Sequence, residues 1–286
     1  GQRPQSGSGG GCDPMPVAGS YVINMEADKR RLQLFIAHVG RLCGFGKVQW
    51  HGGISADAAT LMKPWAQRLV PGMDSESLKQ LGNLGAGLAH LALWDRIANS
   101  TACAADHDAY ALVLEDDERP RPVFPTAVAK LLSIVRALPE DRRPAIVNLN
   151  TLRPHGETVA TVASPFNGVL LGTPKTEVPC SNRENPQREL RLCNVWLSVY
   201  MVRCGSAAAL VREMGRYHRP NFTRPADLGR PWNGVSPVLD QNFVAAMSDP
   251  NIPLRVANLA PRDVISLHVE TQSPRASRNF MRPNGR

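Results

Sequence analysis

Residues 111–120 read ALVLEDDERP, so four residues suited to a buried strand run straight into Glu115, Asp116 and Asp117. Carboxylates crowded like this repel one another unless a cation or basic side chains offset them. Their oxygens favour hard divalent ions such as Mg2+ or Mn2+, which commonly bridge protein carboxylates to phosphates. The competing reading is a solvated turn in which an Asp caps the next helix and Arg119 or Arg121 pairs with the acids. In open α/β sheets, ligands collect outside the carboxyl ends of the strands. Where the trio stands relative to a sheet therefore decides between the two.

The surrounding segments have the pattern of such a sheet. SYVINM, 20–25, is a short apolar strand, and Leu32, Phe35, Ile36, Val39 and Leu42 then recur at helical spacing, with Gly44 able to stop the helix. KVQWHGG follows as a second strand, completing a strand–helix–strand unit that predicts parallel pairing. Residues 77–99 form a long helical pattern with Leu88, Leu91, Trp94 and Ile97 on one side. YALVLEDD and PAIVNLN are strands flanking a helix over FPTAVAKLLSIVRAL, and VWLSVYMVR is a strand leading into a helix over GSAAALVREMGRY. The stretch 151–190 reads as long loops with room for a short hairpin, and the chain from His218 reads as irregular except for VISLH. The expected organisation is a flexible tail over 1–19, one domain over 20–270 and a flexible tail over 271–286.

Composition sets outer bounds. The 286 residues are 43% hydrophobic, enough for a sizeable core, and the net charge of +8 suits an anionic ligand, although arginine-rich loops are also simply soluble. No apolar run reaches the ~18–20 residues of a membrane span, and no signal peptide is legible at the start. Aromatic residues are 6% and do not interleave with basic ones, which argues against a base-stacking nucleic-acid surface. The six cysteines include no C-x-x-C pair, so a zinc or thioredoxin-type site is not expected. Cys180 and Cys193 flank a polar loop that a disulfide could close. Glycosylation acceptors at Asn99 (NST) and Asn221 (NFT), with the even cysteine count, lean toward a secretory compartment.

Five motifs then occur in order between about residues 20 and 245: INMEADKRR, GAGLAH, LEDDERP, LSVYMV and VLDQ. Together they resemble glycosyltransferase family 25, which includes bacterial lipooligosaccharide and collagen-type galactosyltransferases. Ala86 and Ala89 stand where that family has Cys and Ser, His90 is retained, Met25 replaces Leu, and nothing corresponds beyond residue 245. The resemblance implies an α/β fold of the GT-A, nucleotide-sugar-binding type, with a mostly parallel central sheet flanked by helices. It implies metal-dependent, inverting transfer of a sugar, galactose first among candidates, from a UDP-sugar to a glycan or glycoprotein acceptor.

Carried over residue by residue, it assigns Asp117 and Asp116 to Mn2+ (or Mg2+), and Glu115 to the metal or the donor ribose; His268, beyond the matched motifs, is a metal candidate because GT-A enzymes often supply a late His. Arg30 or Arg31 would contact the nucleotide, Asn24 the base and His90 the donor, with Asp240 as general base. Plainer local readings stand beside these. The arginines form a solvated helix face, His90 caps a helix, Asp240 caps QNFVAAM, and His268 is a structural strand end. The implied location is the secretory pathway or Golgi lumen in a eukaryote, and the cytoplasm otherwise. Two rival classes use the same features: a carboxylate–metal nuclease or phosphotransferase, and a catalytically silent protein that binds an anionic ligand or glycan.

Overall fold

The computed structural model describes residues 13–55, 63–69, 81–150, 156–162, 168–172, 197–217, 252–261 and 266–268. The strands are β1 (Gly19–Asn24), β2 (Val48–Gly52), β3 (Tyr110–Glu115), β4 (Glu118–Pro120), β5 (Ile146–Asn148), β6 (Glu157–Val162), β7 (Gly168–Gly172), β8 (Val199–Arg203), β9 (Val256–Pro261) and β10 (Ser266–His268). The helices are α1 (Lys29–Val39), α2 (Pro64–Leu69), α3 (Leu81–Ala98), α4 (Thr101–Ala105), α5 (Phe124–Ala137) and α6 (Ala207–Tyr217).

Eight of the strands form one sheet in the order β2-β1-β3-β8-β5-β9-β7-β6, and β10 pairs with β4 in a small second sheet. The βαβ expectation holds, because β1 pairs in parallel with both β2 and β3. The expected mostly parallel sheet does not. β8 runs antiparallel to both β3 and β5, and β7 runs antiparallel to both β9 and β6. A strand buried on both faces, such as VYMVR, shows the same apolar run whichever way it points. Its direction follows from the chain connections, which local periodicity does not encode.

Two apolar layers sandwich the sheet. On one face Leu88, Leu91, Trp94 and Ile97 of α3 pack with Leu210 and Met214 of α6 over Ile23, Val113 and Tyr200. On the other, Phe35 and Val39 of α1 and Phe124, Val128, Leu131 and Val135 of α5 cover Val22, Leu112, Leu114 and Met201. Each such side chain contributes roughly 1.5–3 kcal/mol through removal from water. α1 is shorter than its apolar pattern suggested. It ends at Val39, and Ile36 is exposed rather than buried. Gly44 serves the turn beyond it, at φ +80°, where a Cβ would stand 2.7 Å from the Asp13 carbonyl oxygen.

Candidate active site

β1 is where the sheet order reverses. The chain leaves β1 through α1 on one face to reach β2, then returns through α3 on the other face to place β3 on the opposite side of β1. The crevice beyond the carboxyl ends of two such strands is the usual ligand position in a doubly wound sheet. Asn24 ends β1 and Glu115 ends β3, so Asn24 and the acidic trio border this crevice. β8, antiparallel to β3, begins at the same edge, and Ser198 just before it accepts a bond from the Glu115 backbone N–H at 2.8 Å.

Alternation along the strands sends the acids to different faces. Asp116 turns to the α1 face and is buried. Its two carboxylate oxygens accept from Asn24 Nδ2 and Arg31 Nη2. Arg31 also lies 3.5 Å from Asp117 and 3.9 Å from Asp28. The same Asn24 amide donates to the Asp28 carbonyl at 3.2 Å. Burial pushes the Asp116 carboxyl above its ordinary pKa, and the bonds from Asn24 and Arg31 only partly oppose this. Asp117 is partly exposed at the rim. Glu118, fully buried, accepts from Asn150 Nδ2 at 3.0 Å and Ser266 Oγ at 2.6 Å. Arg119 bonds the main-chain carbonyls of Asp116 and Glu118, not the carboxylates.

Glu115 turns to the α3 face. There His90 Nε2 lies 3.3 Å from its Oε1, and His90 Nδ1 lies 2.6 Å from the Tyr200 hydroxyl, which also accepts from Trp94 Nε1 at 3.0 Å. His51 on β2 and Glu115 on β3 both flank Ile23 in register, so His51 belongs to this side. Burial, with Arg96 nearby, lowers its pKa to about 4 and keeps the ring neutral. At the rim Trp50 is exposed, its indole N–H bonded to the Asn24 carbonyl at 3.2 Å. Close approach of the two strand ends requires Gly53, where a Cβ would lie 3.2 Å from the Met25 backbone nitrogen.

Among the described residues, Asn24 Oδ1, Arg31 Nε, His51 Nε2 and Ser198 Oγ are buried side-chain atoms without a hydrogen-bond partner at this edge, while Arg136 Nε is another away from it. Folded proteins leave few such atoms, so a concentration of them marks a place where a ligand or water supplies the missing bonds.

Of the residues singled out from sequence, Asn24, Arg31, His90, Glu115, Asp116 and Asp117 come together here. Arg30 is exposed at the start of α1 and makes none of these contacts. His268 sits, by backbone register, opposite Glu118 in the β4–β10 pair, one residue from Asp117. Asp240, Asn221, Cys180 and Cys193 lie outside the described residues. Sequence reasoning missed Tyr200, Trp94, His51 and Ser198. A Tyr inside an apolar strand was the available signal, since a buried phenol needs a polar partner.

The chain matches no protein-family model, and no curated protein matches it significantly. The likeness to glycosyltransferase family 25 therefore rests on its ordered motifs alone.

Proposed function

We propose that the chain is a metal-dependent glycosyltransferase that transfers a sugar, galactose being the one the motifs favour, from a UDP-sugar to a glycan or glycoprotein acceptor. The observation that carries this reading is the convergence of carboxylates, Arg31 and unsatisfied polar atoms at the β1/β3 switch point. That crevice suits a ligand combining a diphosphate with many hydroxyl groups.

The carboxylates fit a hard cation in one particular way. Both Asp116 oxygens are already taken by nitrogen donors, which makes Asp116 an anchor for Arg31 rather than a ligand. Asp117 at the rim is the better ligand, with His268 one register position away on β10. Among the described residues no three His, Cys, Asp or Glu side chains are grouped to hold an ion. Asp117, with His268, would hold a Mn2+ or Mg2+ ion, which would supply positive charge beside a bound diphosphate. Such an ion, when bound, offsets charge on the departing UDP.

The chain's own groups supply the rest. Arg31, partly buried beside Asp116 and Asp117, supplies a fixed positive charge for a phosphate at this edge. Asn24 Oδ1 and the neutral His51 Nε2 offer acceptors to ligand N–H or O–H groups. Asp240 remains the proposed base that takes the acceptor hydroxyl proton as the sugar–phosphate bond breaks. The buried Cys103–Cys204 disulfide and the exposed Asn99 acceptor support a secretory location for this activity.

A thermal-shift series tests the reading, with UDP-galactose, UDP-glucose, UDP-xylose and UDP-GlcNAc each measured with and without Mn2+. A melting-temperature rise that needs both one UDP-sugar and Mn2+ is the expected result. No rise with any donor, or with UDP, would overturn it and turn attention to phosphate-ester hydrolysis.

A further inference from the structure

Glu115 is held from the α3 side by His90, and its role rests on the transferase reading of the same site. His90 is 3% exposed, yet both of its ring nitrogens have polar neighbours: Tyr200 Oη at 2.6 Å from Nδ1 and Glu115 Oε1 at 3.3 Å from Nε2. In a neutral imidazole one nitrogen donates and the other accepts. Trp94 Nε1–H already fills one lone pair of the Tyr200 hydroxyl, so the hydroxyl hydrogen is assigned to Nδ1 and the ring hydrogen to Nε2, facing Glu115. Tyr200 then donates its O–H to Nδ1 and accepts from Trp94 Nε1–H at 3.0 Å. The tautomer is assigned from this network. Every donor in the sequence Trp94, Tyr200, His90 points the same way, toward the carboxylate at the sheet edge.

We propose that Tyr200 is a positioning residue: through His90, held as its Nε2–H tautomer, it orients the Glu115 carboxylate toward the ligand crevice. The aromatic packing supports a rigid arrangement. The Tyr200 ring lies 5.6 Å from His90 and 6.2 Å edge-on from Trp94, all inside the α3-side core. Glu115 itself is one-third exposed, so it is the member of the set that meets a ligand. Without the Tyr200 hydroxyl, Nδ1 loses its donor. The ring is then free to carry its hydrogen on Nδ1, which turns a bare Nε2 lone pair against the carboxylate.

The test uses the full chain with ring-15N-labelled histidine and long-range 1H–15N correlation. The His90 signals are identified as those missing from His90→Gln. The expected wild-type pattern is a protonated Nε2 and a bare Nδ1, and Tyr200→Phe should convert it to a mixture or to Nδ1–H. An Nδ1–H pattern for His90 in the wild type overturns the proposal even where Tyr200→Phe does not fold. So does a pattern unchanged by Tyr200→Phe.

The second arm is UDP-sugar turnover. Glutamine can present an amide N–H near the Nε2 position, so His90→Gln should keep about tenfold more turnover than His90→Leu. Tyr200→Phe should fall about tenfold and His90→Leu about a hundredfold, the range typical of lost orienting partners. Equal losses in all three variants would indicate a packing role and overturn the proposal. If wild type turns over no UDP-sugar, the glycosyltransferase reading fails by itself, and the 15N pattern still decides the role of Tyr200.

Discussion

At the amino-terminal edge of the large sheet, Asp108 accepts from Arg143 Nη1 at 2.6 Å and from Arg203 Nε at 3.0 Å. At the carboxyl-terminal edge, Asp116 accepts from Arg31 and Asn24. The chemistry is nearly the same, but the consequences are opposite. Asp108 is half-buried, and the bond from Arg203 holds its carboxyl below its ordinary range. Asp116 is buried, and desolvation outweighs its partners, so its carboxyl is pushed up. The amino edge is also tied covalently by Cys103–Cys204, whose Cα atoms are 4.9 Å apart. Polar groups at the amino edge stabilise the fold, while those at the carboxyl edge are held at a cost, as binding sites are.

The largest effect expected from this contrast is on the covalent tie. Replacing Cys103 and Cys204 together by Ser removes a link across 101 residues of chain and should cost roughly 2–5 kcal/mol. The melting temperature should fall by about 5–15 °C, with donor affinity unchanged well below that temperature. A parallel loss of donor affinity would break the separation of the two edges.

Asp117→Asn comes next. UDP-sugar turnover should fall about a hundredfold while the melting temperature of the ligand-free protein moves by no more than about 2 °C. Thermal unfolding and a turnover assay on the same sample check both halves.

Asp116→Asn should lower donor binding yet leave stability at neutral pH equal or higher. A carboxyl whose pKa is raised by folding contributes stability at low pH, and that contribution is lost as pH rises through the folded pKa. The stability of the variant relative to wild type should therefore improve as pH rises from the ordinary carboxylate range toward neutral.

The smallest effect, and the one of opposite sign, belongs to Asp108→Asn. A depressed pKa gives stability that is present above the unfolded value of about 3.9 and lost as pH falls below it. The deficit of this variant should be under about 1 kcal/mol because water reaches nearly half of the side chain and screens the pair, and it should shrink toward pH 3. Urea unfolding of both aspartate variants at several pH values would show the two trends cross. Parallel trends would refute the contrast.

Much of this architecture was legible in the sequence. Apolar alternation and helical spacing located β1, α1, β2, α3, β3, α5, β8 and α6 to within a few residues. The hairpin within 151–190 is present as β6 and β7. β9 was missed although it lies between β5 and β7. Its residues, VANLAP, include Asn and Pro, which read as loop until a neighbouring strand satisfies the backbone. At the site, residue types were legible but pairings were not. The acidic trio announced itself, whereas Arg31 as the answer to Asp116 depends on where α1 docks, 85 residues away. His90 and Tyr200 are 110 residues apart, and only the packing of α3 over β8 brings them together.

The far margin of the sheet carries a consequence of a different sort. β6 is the last strand in the order, and its pairing with β7 slips between Thr158 and Ala160, which leaves Val159 out of register. An outermost strand with an even row of backbone donors and acceptors would template the addition of a strand from another copy. The irregularity interrupts that row midway, and the exposed Glu157 adds charge at its start. Restoring a regular β6 by deleting Val159 should make the protein prone to edge-to-edge self-association, which light scattering on concentrated samples would detect.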